Sequence, residues 1–229
     1  MDPSAPADTR MMDIVHSALR RDLDRARKAV TSDPLPTGRR RRAIGQHVVW
    51  LMDFLHGHHT GEDEGLWPMV LARDPSTASL LSSLEADHAR IAPAVDAVTT
   101  AAHDYTTTTS DDARVALITA LDALADVLFP HLDREVEEAM PVVSATISDD
   151  DWQAWDQAAN LKGKSKLRLG MEGHFLLDGT DTEGRGVVVH LVPPVPRFVL
   201  IHGLGWLYRR QCRRRWGPQQ AVPAGAAGA

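Results

Sequence analysis

The chain has 229 residues, of which 43% are hydrophobic, 24% charged and only 5% aromatic. That suits one domain of about 100–200 residues with an appendage, or two small domains, and excludes a wholly disordered chain. The net charge of −6 is unevenly spread, with +7 on residues 161–229 and −13 on residues 1–160, which argues against a general nucleic-acid binder because that needs a basic domain face.

No apolar run approaches the ~20 residues needed to cross a bilayer; the longest, Phe198 to Tyr208, contains His202. The stretch Met1 to Met12 holds two prolines and several charges, so it does not read as a secretory signal. The lone cysteine, Cys212, excludes an internal disulfide and a thiolate-clustered metal site and fits a reducing compartment. These features predict a soluble, cytoplasmic protein.

Periodicity divides residues 11–142 into four amphipathic helical patterns. The first runs through Met12, His16, Leu19, Leu23, Ala26 and Val30, and Asp33-Pro34-Leu35-Pro36 ends it. The second spans roughly Arg40 to Ala72, with Val48, Leu51, Leu55, His58, Glu62 and Leu66 on one face. The third begins near Ser76 and follows Leu81, Leu84, His88, Ile91, Val95 and Val98. Turn-formers from Thr106 to Asp112 interrupt it, with Ser110 as the cap of the fourth helix. That helix carries Leu117, Leu121, Leu124, Leu128, His131, Glu135 and Ala139. Four such stripes with short connections predict an all-α fold, an up-down-up-down four-helix bundle.

Ser148 and the three aspartates after it predict a further helix holding Trp152 and Trp155. Gly, Pro and β-branched residues mix through 170–196, and 185–210 reads equally as strand or helix. The expected layout is a flexible N-terminus (1–10), a bundle with a flanking helix (11–160), a basic C-terminal extension (161–217) and a disordered tail (218–229).

The histidines carry the chemistry. Of eleven, eight precede residue 132. His58-x3-Glu62-x5-Pro68 and His131-x3-Glu135-x5-Pro141 have identical spacing, and a lone histidine precedes each, His16 by 42 residues and His88 by 43. The bundle reads as two copies of one helix-helix unit. Residues i and i+4 of a helix project from the same face, so each His and Glu can reach one ion. Four imidazoles and two carboxylates facing a bundle core need partners, because an unpaired buried carboxylate is costly. Metal satisfies all six, whereas the competing reading is a buried ion-pair network. A structural zinc uses four ligands, so this set exceeds one tetrahedral ion; mixed nitrogen and oxygen ligation at two centres suits iron, with manganese or zinc fitting less well.

The pattern His16, His58-His59-x2-Glu62, His88 and His131-x3-Glu135 on four helices resembles the hemerythrin-like, HHE cation-binding domains, and His58 to Pro68 is close to their second-helix motif. The likeness covers roughly residues 11–160. It implies two non-haem irons, with Glu62 and Glu135 bridging and His16, His58, His88 and His131 as terminal ligands. Oxygen-carrying hemerythrins have a second histidine four residues after the third-helix one, but here that position is Ala92, followed by Pro93. His59 is the expected substitute. Two six-coordinate irons then keep one open position, which suits reversible O2 or NO binding; without His59 two stay open, which suits peroxide or NO redox chemistry. The expected function is therefore binding or sensing of O2 or NO. The alternatives are a catalase-like or NO-reducing enzyme and an iron-responsive store or sensor.

Other residues receive plainer readings. His47 is expected to be packed, His56 and His103 exposed, and Asp63 to orient His59 or ligate. Glu64, Glu137 and Glu138 read as a solvated face. The stripe Gly57, Gly61, Gly65 predicts close approach of another segment, with the tail as the candidate, or a simple kink. The basic run Arg209 to Arg215 is expected to fold back on the acidic bundle. Contact with an anionic membrane and nucleic-acid binding are the weaker alternatives. Cys212 would have a lowered pKa if exposed. The sequence sets no oligomeric state.

Overall fold

The computed structural model describes residues 5–190 and 203–217, and among these the chain forms eight helices and no strand. They are α1 (Arg10–Val30), α2 (Gly38–Gly61, running through a π-helical turn, Glu62–Leu66, into Trp67–Arg73) and α3 (Ala78–Thr107). The helix α4 (Asp111–Arg134) likewise passes through a π-helical turn, Glu135–Ala139, into Met140–Thr146. Then follow α5 (Asp149–Asp156, with a π-helical end at Gln157–Leu161), α6 (Lys166–Leu177), α7 (Thr182–His190) and α8 (Gly205–Trp216).

Local chemistry sets the boundaries. The Ser110 hydroxyl accepts the Ala113 N–H to start α4, and Ser148 and Asp151 form a reciprocal capping box at α5. Contacts between the long helices run in opposite chain directions. Along α1 and α2, His16 meets His58 and Asp22 meets His47; along α1 and α4, His16 faces Glu135 and Arg27 pairs with Asp122. Along α2 and α3, His59 stacks on His88 while Gly45 lies against Ala102 and Thr106, so these neighbours are antiparallel.

Two apolar cores fill the bundle. The larger holds Leu19, Leu23, Leu51, Leu55, Ile91, Val95, Leu124 and Leu128, and the second holds Met12, Leu66, Trp67, Leu81, Leu84, Ala139, Met140 and Val143. On every long helix the histidine predicted as a ligand falls close to where the stretch feeding one core gives way to the stretch feeding the other. The polar layer is thus a seam sealed by hydrophobic packing on both sides.

Several expectations need correction. The helix Asp111–Thr146 is, by length and composition, apolar enough to cross a membrane, with a window of mean hydropathy 1.6, although no uninterrupted apolar run suggested it; its Leu117, Leu121, Leu124 and Leu128 are buried in the bundle core. Residues 5–9, expected to be flexible, are pinned: Pro6 pairs with Ser148, Ala7 N–H donates to the Ile147 carbonyl and Ser144 Oγ donates to the Ala7 carbonyl. Residues 1–4 and the predicted disordered tail, 218–229, lie outside the described residues, as does most of the apolar run at 195–208. The ambiguous 185–210 region is helical where it is described.

The C-terminal segment folds back, with Asp178, Arg168 and Glu183 pairing with Arg25, Asp53 and Arg10 of the bundle, but α8 docks without an ion pair among the described residues. Tyr208, Cys212 and Trp216 form a buried stripe that joins the larger core together with Phe175 of α6, while Arg210, Arg213 and Arg214 face outward. Cys212 is buried, which pushes its thiol up to about 11 rather than down. His47 is packed between Trp50 and Trp216 with its Nε2 2.7 Å from Asp22. His56 and His103 are exposed.

The glycine stripe divides. At Gly65 an added Cβ would lie 2.8 Å from Trp155 Cδ1, and at Gly61 it would lie 3.1 Å from Ala159, while Trp155 Nε1 donates to the Gly61 carbonyl at 2.8 Å. The approaching segment is therefore α5, not the tail. Gly57 meets nothing within 4 Å. Gly57→Ala is therefore expected to raise stability by about 1 kcal/mol, and Gly65→Ala to lower it; urea denaturation of both variants beside the parent checks the opposite signs.

Candidate metal centre

The His-x3-Glu pairs end the regular parts of α2 and α4, and each glutamate opens a π-helical turn. Each of these two turns precedes a proline. Pro68 and Pro141 lack an N–H and would strike the carbonyl four residues earlier in a regular helix. Widening the preceding turn relieves this, so Trp67 N–H bonds to the Glu62 carbonyl and Met140 N–H to the Glu135 carbonyl, five residues back. The repeated x5-Pro of the motif was the sequence signal for these turns, which periodicity alone reads as unbroken helix.

All seven residues predicted as ligands converge and are buried: His16 from α1, His58, His59 and Glu62 from α2, His88 from α3, and His131 and Glu135 from α4. They divide into a trio, His59, His88 and His131, and a quartet, His16, His58, Glu62 and Glu135, with the ligand atoms of each group within 4.8 Å of one another. The Nε2 atoms of His16 and His58 are 3.2 Å apart, and those of His88 and His131 are 3.1 Å apart. Two nitrogens bound side by side to one ion at roughly 2.1 Å would lie about 3 Å from each other.

The carboxylates join the groups. Glu62 Oε1 is 3.1 Å from His58 Nε2 and its Oε2 is 3.6 Å from His88 Nε2. Glu135 Oε2 is 3.4 Å from His16 Nε2 and 3.6 Å from His131 Nε2. Each glutamate thus lies within 3.1–3.6 Å of an imidazole from both groups. His59 lies flat on His88, with ring centroids 4.1 Å apart.

The donor set fits metal cations. Both oxygens of Glu62 and of Glu135, and Nε2 of His59, are buried with no hydrogen-bond partner. Such atoms are costly unless something else binds them. Burial holds the histidines well below their ordinary range, to about 3 for His58 and His131, so they are neutral with lone pairs available. Burial also raises both glutamates, with Glu135 adding to the rise at Glu62, and Glu135 itself reaches about 8.

One aspartate supports the centre from outside it, and a second lies close by. His88 Nδ1 donates to Asp63 Oδ1 at 2.7 Å, which turns its Nε2 toward the site. Asp63 was expected to serve His59, but it reaches across to α3 instead. Asp87, which the sequence reading passed over, is buried 3.7 Å from His131 Nδ1 and is held by Arg134 at 2.6 Å. Its place directly before His88 was the available clue. Glu64, Glu137 and Glu138 are exposed.

Residues 7–143 match the model of the family described as the hemerythrin HHE cation binding domain. The chain belongs to the hemerythrin family. No curated protein and no solved structure compared with the chain gave a match. Within this hemerythrin domain the two copies are unequal, because the positions matching His59 and Asp63 are Leu132 and Val136 in the second. The extra imidazole and its neighbouring acid are additions to the first copy alone.

Two predictions follow from these contacts. In the metal-free protein the raised glutamates favour the protonated folded state, so their contribution to stability is lost as pH rises through about 8. The lowered histidines add stability only up to their unfolded value of 6.5, so above it the glutamates alone set the slope. Thermal melts of apoprotein should therefore fall between pH 6.5 and 8, and Glu135→Gln should flatten that fall while abolishing metal retention. Asp63→Ala should weaken metal affinity by roughly 10–100-fold, read by competition with a chelator.

Proposed function

We propose that this hemerythrin-like domain binds or senses O2 or NO at a carboxylate-bridged pair of irons. The observation that carries the reading is the uneven donor set, three imidazoles on one side and two on the other, with two carboxylates between them. Iron supplies redox activity and coordination positions for a diatomic ligand.

The chain's own residues define the rest. His59, His88 and His131 crowd one side, whereas His16 and His58 leave the other a nitrogen short. Glu62 and Glu135 supply the negative charge that two cations need. Leu55, Leu66, Leu84, Leu128 and Ala139, all buried, line the seam's flanks and exclude water, which favours a small neutral ligand over a charged one. Every strongly shifted acid or base in the layer is a candidate ligand, so no group is free to move protons for an organic substrate.

The experiment is metal analysis of the purified chain followed by absorption spectra under nitrogen, O2, NO and H2O2. The reading expects two irons per chain and a charge-transfer band that forms with O2 or NO and disappears on sparging with nitrogen. Sustained O2 release from H2O2 at many turnovers would replace it with the enzymatic alternative. One metal per chain, or a redox-inert one, would overturn it.

A further inference from the structure

A second polar layer lies along the bundle from the metal centre, and it opens onto a cavity of about 440 Å³ between α2, α6 and α8. Trp50, Leu167, Met171 and Phe175 supply apolar walls, and Arg214 and Arg215 also line it. The size falls in the range typical of small-molecule sites, and apolar walls with a few fixed polar groups are their usual make-up.

The charges around the cavity do not cancel. Its neighbouring carboxylates are already engaged: Asp22 by His47, Arg21 and Arg25, Asp178 by Arg25 and the Tyr208 hydroxyl, Glu172 by Lys164 and Arg168, and Asp53 by Arg168. Arg214 and Arg215 pair with no carboxylate among the described residues. The Arg215 guanidinium is partly buried and donates to the Gln211 side-chain oxygen, while its backbone carbonyl is held by Arg40 Nε at 3.2 Å. Burial pushes Arg215 below its ordinary range despite an upward pull from Asp22, as expected of a desolvated cation with no carboxylate in ion-pair contact.

We infer that this cavity is a second binding site, separate from the metal centre, for an amphipathic organic acid. The apolar body lies against the wall formed by Trp50, Phe175 and Met171, and the carboxylate is received by Arg215 with Arg214 at the rim. Arginine's planar fork suits a carboxylate held by two hydrogen bonds. The aromatic and aliphatic walls select against a fully hydrated anion such as free phosphate.

The test uses the full chain and two fluorescent probes of similar shape, anionic anilinonaphthalene sulfonate and uncharged phenylnaphthylamine. Both should bind at one per chain, with the anion displaced at lower concentration by decanoate than by decanol. Arg215→Gln and Arg214→Gln should each weaken the anion about tenfold, as expected for loss of a charge-assisted bond, and leave the neutral probe within twofold. Met171→Trp should block both. Arg214 is exposed, so its variant is informative even if Arg215→Gln were to misfold. Equal displacement by decanol, unchanged affinity in both arginine variants, or binding of many probes per chain would overturn the site. So would arginine-dependent sedimentation with phosphatidylglycerol vesicles in place of stoichiometric probe binding, which would assign the arginines to a membrane surface.

Discussion

Two buried carboxylates without a cation from the chain are the constraint on which the rest of this structure depends. Glu62 and Glu135 are fully buried and no lysine or arginine forms an ion pair with either among the described residues. A carboxylate in such a place costs several kcal/mol unless it is protonated or neutralised. The surrounding imidazoles cannot neutralise it as cations, because the same burial keeps them uncharged. Only a cation from outside the chain satisfies oxygens and nitrogens together. The apolar layers on either side then have a clear role: they fix the four helices so that side chains from each reach one another at the seam.

How much of this was legible depended on whether the determinant lay within one helix. The His-x3-Glu spacing places two ligands on one face by helix geometry alone, so the ligand set could be read from residue numbers. The partner of Asp63 could not. Four residues separate it from His59 on the same helix, yet the contact is made with His88, 25 residues away, because the packing of α2 on α3 decides it. The π-helical turns were hidden for a different reason. Periodicity averages over turns, whereas the widening at Glu62 and Glu135 is confined to the single turn before Pro68 and Pro141. Gly65 needed knowledge of Trp155, which comes from a helix 90 residues further along.

The C-terminal segment shows a subtler mismatch. Its opposite charge correctly suggested that it returns to the bundle, but at α8, where the arginines cluster, charge does not make the contact. Gly205, Tyr208, Cys212 and Trp216 recur at three- and four-residue spacing and are buried, while most of the intervening arginines point away. Composition drew attention to the arginines, and burial of the aromatic stripe supplies the free energy. A run of basic residues is thus compatible with a docked helix whose apolar side is narrow.

The two polar layers of this bundle solve the same problem by opposite means. At Asp22, a buried carboxylate in α1 meets His47 across the core and the guanidiniums of Arg21 and Arg25 beside it. The C-terminal segment continues this network through Asp178 and Tyr208. Covalently attached cations neutralise the acid there, so Asp22 needs nothing from solution, and the network around it holds α1, α2, α8 and the segment after α6 in place. At Glu62 and Glu135 the chain offers five neutral imidazoles and no cation at all. Had the histidine layer served packing, the arrangement around Asp22 shows the local solution available to this fold, an arginine one residue or one turn away. At the seam the arginine next to Glu135, Arg134, pairs with Asp87 instead, and both oxygens of both glutamates are left without a hydrogen-bond partner, which is what separates a metal-holding layer from a structural one.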